Sequence, residues 1–296
     1  MRICVIFNPA AKGEKAKRFR KELAKFAGQC AVKMTQSPGA GRTLAAAAVQ
    51  EGFDTIVAAG GDGTINEVLN GIGDHPAGFQ DVRLGILPVG TVNVFAREMG
   101  LPHRVLAAWE TIIRGREKSI DLPQFQFKDG GECRNRYFIQ MAGAGWDARA
   151  IETVDPNLKK KIGQFAYMFA GLRALREKRP SVTVISGPKT FRGELVIIGN
   201  GRFYGGEIPV FHRADNCDGL LDVCVFPKIT RRVLLRYALA YLSPRFFKPR
   251  EEAYFQAASI RLESEPPAPV QMDGETVGTL PAECTIRRHA VRVIAS

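Results

Sequence analysis

The stretch Thr55-Ile56-Val57-Ala58-Ala59-Gly60-Gly61-Asp62-Gly63-Thr64-Ile65-Asn66-Glu67-Val68-Leu69 decides how the chain reads. A short apolar run, Thr55 to Ala59, reads as a buried strand that stops at a glycine cluster. Ile65 to Leu69 then resumes as a helix. Glycines at such a junction let the backbone approach an anion closely and turn several N–H groups toward one point. The start of the following helix adds a favourable dipole for a phosphate. Asp62 would repel that phosphate unless a cation lay between them, so magnesium is implied. The stretch is not a P-loop, because G-x-x-x-x-G-K-[ST] is absent. Nor is it the dinucleotide fingerprint, because Asn66 stands where the third glycine belongs.

Outward from this junction the same grammar repeats. Ile3 to Phe7 is an apolar strand closed by Asn8-Pro9-Ala10-Ala11-Lys12-Gly13, and Lys15 to Ala27 has helical spacing at Phe19, Leu23 and Phe26. Ala31 to Thr35 is a weaker strand, followed by an alanine-rich helix from Thr43 to Gln50. Leu84 to Leu87 is a fourth strand, ending at Pro88-Val89-Gly90-Thr91-Val92-Asn93. Alternating strands and helices predict a three-layer α/β domain with a parallel sheet, whose ligands lie beyond the carboxyl ends of the strands. Asn8, Thr35, Gly60 to Thr64 and Gly90 to Asn93 all fall on that edge.

After Ile120 the pattern changes to short strands at Tyr137–Ala142, Ser181–Ser186, Glu194–Ile198, Leu220–Phe226, Ala257–Leu262 and Ala268–Met272. These predict an antiparallel β-sandwich with helices inserted at Leu158–Lys178 and Thr230–Leu242. The expected division is therefore a nucleotide-binding domain over residues 1–120 and a β-sandwich domain over 121–296. A length of 296 residues suits two domains. With 45% apolar and 24% charged residues the chain is globular in composition. No apolar run approaches the roughly 18 residues of a membrane span, and the N-terminus lacks a signal-peptide pattern. It reads as a soluble, cytoplasmic protein. The six cysteines and four histidines show no metal-ligand spacing, and the cysteines read as buried free thiols. A net charge of +12 suits an anionic partner. No recognition motif accompanies it, so nucleic acid is disfavoured.

Gly60-Gly61-Asp62-Gly63-Thr64-Ile65-Asn66-Glu67-Val68-Leu69-Asn70-Gly71 resembles the signature of the diacylglycerol kinase catalytic-domain family, which includes bacterial lipid kinases and sphingosine and ceramide kinases. The resemblance runs end to end. It takes in Asn8-Pro9 to Gly13, Leu87-Pro88-Val89-Gly90-Thr91-Val92-Asn93-Val94-Phe95-Ala96-Arg97 and Asn135 to Asp147. It also takes in Asp218-Gly219-Leu220-Leu221-Asp222-Val223 and Met272-Asp273-Gly274-Glu275.

The resemblance implies an ATP- and magnesium-dependent lipid kinase of phospholipid metabolism, with the nucleotide in a cleft between the two domains. The acceptor would be a hydroxyl of a diacylglycerol-like or sphingoid lipid. Asn8, Pro9, Gly13, Thr35, Gly60, Gly61, Asp62, Gly63, Thr64, Ile65, Asn66, Glu67, Gly90, Thr91 and Asn93 would hold the nucleotide. Asp62 and Asp121 would lie near the catalytic metal, and Asp215, Asp218 and the Leu220 carbonyl match a second, structural magnesium site. Glu275 or Asp273 would be the general base.

One departure stands out: many bacterial members carry Asp where this chain has Val94. Lys159 to Lys161 and Arg245 to Arg250, interleaved with aromatics, are candidates for peripheral contact with an anionic membrane. A homodimer is compatible with the sequence. Two other readings are compatible with the sequence: a soluble-substrate kinase of the NAD kinase type, and a non-catalytic nucleotide-binding regulatory module.

Overall fold

A computed structural model describes residues 1–9, 19–22, 28–129, 132–152, 180–242 and 253–295. The chain forms two compact units, Met1–Leu122 with Arg288–Ser296, and Pro123–Arg287. The last residues, placed by the sequence pattern in the second domain, thus belong with the first.

In the first unit, strands β1 (Ile3–Phe7), β2 (Ala31–Met34), β3 (Thr55–Gly60) and β4 (Arg83–Pro88) form a parallel sheet in the order β2-β1-β3-β4. Helix α1 (Ala40–Gln50) connects β2 to β3, α2 (Asp62–Gly73) and α3 (Gly78–Asp81) connect β3 to β4, and α4 (Val94–Glu98) and α5 (Val105–Arg114) follow β4. Strands covered on both faces read as continuous apolar runs, which is why β1 and β3 are buried throughout. Ile3, Val5 and Phe7 join Val57, Ala59 and Leu87 against Ala108, Trp109 and Ile112 of α5. The alternate residues Cys4, Ile6, Ile56 and Ala58 are buried on the opposite face, where α1 and α2 pack.

The alanines of α1 let α2 come very near. A Cβ at Gly71 would fall 2.1 Å from the Arg42 carbonyl oxygen. Glu67 of α2 accepts the Gly39 and Gly41 N–H at 2.8 Å each, which caps the start of α1. This cap, with Gly39 at φ 82, starts α1 at Ala40 rather than at Thr43.

In the second unit, β5 (Glu117–Asp129) pairs with β6 (Glu132–Tyr137), and both precede β7 (Met141–Gly145) and α6 (Trp146–Glu152). Strands β8 (Val182–Ser186), β9 (Lys189–Gly193), β10 (Leu195–Gly199) and β11 (Leu221–Phe226) lead to α7 (Arg231–Leu242). Strands β12 (Ala253–Ala257), β13 (Ser259–Ser264), β14 (Pro269–Met272), β15 (Glu275–Thr279) and β16 (Ala282–Ile294) follow. One antiparallel sheet runs β12-β11-β10-β7-β14-β15. Its inward residues Ala142, Val196, Val223 and Val270 share a core with Phe125, Val184, Ile260 and Cys284 of the facing strands, which makes a sandwich. The end of β16 lies parallel to β4 in the first unit, with Arg292 opposite Arg83.

The strand expected over Tyr137–Ala142 is broken between β6 and β7. The N–H groups of Ile139, Gln140 and Met141 turn to the Asp273 carboxylate instead of a neighbouring strand. The expected helix Leu158–Lys178 lies outside the described residues, as does most of Lys15–Ala27. Within the latter, residues 19–22 are helical and Phe19 packs edge-on against Phe7 at 4.9 Å.

The thiols divide by burial. Cys4, Cys224 and Cys284 are buried and Cys30 and Cys217 are intermediate, whereas Cys133 is exposed, contrary to a uniform buried reading. It lies on β6, whose residues are largely open to solvent. Burial pushes the Cys4 thiol up to about 11 and the Cys284 thiol well above its ordinary value. Maleimide labelling of the native protein at pH 8 followed by peptide mapping should therefore modify Cys133 first. Cys4 and Cys284 should react only after denaturation, and equal labelling of all three would contradict the packing described.

Candidate functional site

The carboxyl ends of the first unit's strands bring most of the sequence-predicted nucleotide residues together. Asn8 follows β1: its N–H donates to the Ala59 carbonyl, and its side-chain amide donates to the Thr64 hydroxyl at 3.2 Å. Thr35 follows β2 and donates its N–H to the Phe7 carbonyl. Gly60 ends β3 with no room for a side chain, since a Cβ there would stand 2.2 Å from the Thr64 hydroxyl oxygen.

After β4 the chain returns to the same place. The N–H groups of Val89 and Gly90 both donate to the Gly60 carbonyl. A Cβ at Gly90 would fall 2.4 Å from the Gly61 Cα, so the two glycine loops touch backbone to backbone. Asn93 closes the second loop in the left-handed region at φ 55, with its amide donating to the Gly90 carbonyl at 2.9 Å. Its side-chain oxygen is buried without a hydrogen-bond partner.

Asp62 joins these loops. Its carboxylate accepts the N–H of Val94 at 3.1 Å and of Phe95 at 3.2 Å, at the start of α4. Burial pushes this carboxyl up, while the N–H groups of Val94 and Phe95 pull it down. Helix α2 begins at Asp62 rather than Ile65, with Gly61 extended before it, so the motif supplies the helix's first turn. The N–H groups of a first turn have no partner within their own helix. At position 94, where an acidic residue was the expected pattern, Val94 is buried and acts on Asp62 through its backbone alone.

Other predicted residues are placed differently. The Ile65 side chain is fully buried in the core, and the Glu67 carboxylate is held by Gly39 and Gly41. Asn66 is buried and accepts from the Asn70 amide at 3.1 Å. Thr91 is exposed at the loop tip and Pro9 is half-buried. Gly13 lies outside the described residues. Asp121 is wholly buried and accepts the His289 N–H at 2.7 Å, which fixes the C-terminal strand where His289 has φ 48. Among the described residues no three His, Cys, Asp or Glu side chains gather as a metal cage.

The candidates in the second unit also divide by role. Asp273, at φ 47 in the turn between β14 and β15, accepts the N–H groups of Ile139, Gln140 and Met141 at 2.9–3.1 Å. Glu275, two residues on, is exposed at the start of β15. Asp215 accepts the Cys217 N–H, and Asp218 accepts the Leu220 N–H at 2.9 Å. Asp218 also shares the Gln256 amide with Asp222. Burial raises the Asp222 carboxyl, and the nearby Asp218 charge raises it further.

A buried polar chain escaped the sequence reading. Asp147 accepts from the Tyr204 hydroxyl and from the Gln271 amide, and Gln271 in turn accepts the Gly274 N–H at 2.9 Å, beside Glu275. Burial raises the Asp147 carboxyl, whereas its two hydrogen bonds lower it. Gly143 is the local sign of this chain, since a Cβ there would meet Asp147 at 2.2 Å. The partners lie 57 and 124 residues from Asp147, beyond the reach of any local pattern.

Comparison with known proteins is consistent along the chain. Residues 2–125 match the family model described as the diacylglycerol kinase catalytic domain, and residues 140–295 match that of the YegS C-terminal NAD kinase beta sandwich-like domain. The diacylglycerol kinase of Bacillus subtilis (strain 168) is 32% identical over 300 residues, spanning 96% of this chain and 93% of that protein. The diacylglycerol kinase of Staphylococcus carnosus (strain TM300) is 29% identical over 293 residues, spanning 96% and 92%. A crystal structure of a diacylglycerol kinase from Bacillus anthracis str. Sterne superposes with a TM-score of 0.70 at 21% identity, covering 100% of this chain and 97% of that one.

Replacing Asp273 with Ala would strand three buried N–H groups, at about 1–3 kcal/mol for each one left unpaired. The second unit should therefore lose several kcal/mol, seen as a fall in the melting midpoint of at least about 6 °C. Glu275→Ala, at an exposed position, should stay within about 0.5 kcal/mol of wild type. Differential scanning calorimetry of both variants measures this, and equal midpoints would contradict the anchoring role of Asp273.

Proposed function

The chain belongs to the diacylglycerol kinase family, and from that premise we propose that it is an ATP- and magnesium-dependent lipid kinase. Its acceptor is the hydroxyl of a diacylglycerol-like or sphingoid lipid. The observation that carries this reading is the contact of two glycine loops, Gly60–Thr64 and Gly90–Asn93, at the carboxyl edge of a parallel sheet.

The residues suit a nucleotide there. The Gly61–Gly90 contact leaves a surface of backbone without side chains, and the first turn of α2 presents N–H groups to an anion. Gly60 to Thr64, Asn8, Thr35 and the exposed Thr91 are the residues assigned to hold the triphosphate. Asp62 suits magnesium, which binds through one or two carboxylates, substrate phosphates and water rather than a protein cage. When bound, the metal neutralises charge building on the transferred phosphoryl group.

Glu275 is assigned as general base and Asp273 as the residue that positions its turn. An acid–base group must come within hydrogen-bond reach of the substrate proton. Asp273 is buried and anchors three backbone N–H groups, whereas Glu275 lies at an exposed position at the start of β15. Contact with the bilayer that holds such a lipid is assigned as peripheral; no helix among the described residues is long and apolar enough to cross a membrane. Lys159 to Lys161 and Arg245 to Arg250 lie outside the described residues.

The test is incubation of the purified protein with labelled ATP, magnesium and, in parallel, dioleoylglycerol, sphingosine or NAD. Label should enter a lipid phosphate. Label in NAD alone, or no acceptor-dependent transfer at all, would overturn the proposal. Glu275→Gln should lower kcat by about 10²–10⁴-fold with ATP binding unchanged, and an unaltered kcat would remove Glu275 as the base.

A further inference from the structure

Helix α7 presents an unusual face for a surface helix. Leu235 is 60% and Leu239 40% exposed, while Val233 and Ala240 on the other side are buried. Arg231, Leu235 and Leu239 make one row at intervals of four residues, and Arg232 and Arg236 make the adjacent row. Around the helix axis the two leucines therefore lie between Arg231 on one flank and Arg232 with Arg236 on the other. Lys228 is exposed just before the helix, and no acidic residue occurs from Pro227 to Leu242.

We propose that this face of α7 lies flat on an anionic lipid bilayer, with Leu235 and Leu239 entering the headgroup–acyl boundary. Arg231, Arg232 and Arg236 meet lipid phosphates on either side. The inference rests on the lipid-kinase reading insofar as that bilayer holds the substrate. An apolar stripe bordered by cations is the pattern of a helix lying in a membrane interface. The chain's net charge of +12 complements such a surface.

A second copy of the chain is a poorer occupant. A two-fold contact through this face would bring arginines against the partner's same arginines, with no acid on either helix to pair them. Helix α5 supplies the contrast. Its exposed Leu106 and Ile113 flank Glu110, which lies within 3.8 Å of Arg114, so that face carries a carboxylate that an anionic surface would repel.

The test is co-sedimentation of the full chain, without nucleotide, with phosphatidylcholine vesicles containing or lacking phosphatidylglycerol. The variants are Leu235→Ser/Leu239→Ser and Arg231→Glu/Arg232→Glu, all at exposed positions, with melting curves to confirm the fold. Wild type should bind the anionic vesicles, and each double variant should bind them about tenfold or more weakly. Phosphorylation of a short-chain, water-dispersed diacylglycerol should be unchanged in both. Undiminished binding by either variant would overturn the proposal. So would a wild-type dimer that Leu235→Ser/Leu239→Ser dissociates while vesicle binding persists. Failure of wild type to phosphorylate the dispersed acceptor would count against the kinase reading alone, because vesicle binding is measured independently of transfer.

Discussion

The bonds from Asp62 to the N–H groups of Val94 and Phe95 are the constraint on which the first unit's site depends. The two glycine loops are distant in sequence, and glycines alone leave a backbone free to adopt many conformations. Their direct contact at Gly61 and Gly90 removes side chains from the meeting point but supplies little to hold it. A carboxylate that reaches from the first loop into the start of the next helix fixes both loops with charge-assisted bonds. Gly60 adds to this by accepting the N–H groups of Val89 and Gly90. The same side chain that ties the loops is the carboxylate assigned to the metal, so architecture and chemistry are coupled at one residue.

A parallel device shapes the second unit. Asp273 engages three successive N–H groups that would otherwise continue a strand, and so sets the turn that presents Glu275. Beneath that turn, Gln271 links Gly274 to the buried Asp147 and onward to Tyr204. In each unit an acidic residue satisfies backbone groups; in the first the chemical work is proposed for that same residue, in the second for a position it orients. Such arrangements are rigid because removing the acceptor leaves several buried donors unpaired at once.

Much of the first unit was legible in the sequence, since buried parallel strands are continuous apolar runs and their ends are marked by glycine and asparagine. Strand–turn–helix order was enough to gather Asn8, Thr35, Gly60–Thr64 and Gly90–Asn93 on one edge. It was not enough to separate residues that face a ligand from those that brace the loop. Glu67 and Ile65 lie within the motif, yet one caps α1 and the other fills the core. Asp121 likewise secures His289 from 168 residues away. In the second unit the long strands β5 and β16 carry mixed polar and apolar residues and gave no clear period. The break at Phe138–Gln140 came from Asp273, a partner more than 130 residues distant. Local pattern reports which elements form, whereas long-range hydrogen bonds decide where they stop.

Amide hydrogen exchange with and without ATP and magnesium decides whether the two glycine loops together form the nucleotide cradle. Exchange should slow in Gly60–Thr64 and in Gly90–Asn93 together, because a phosphate held by one loop touches the other. Protection confined to one loop, or appearing only elsewhere in the chain, would contradict it.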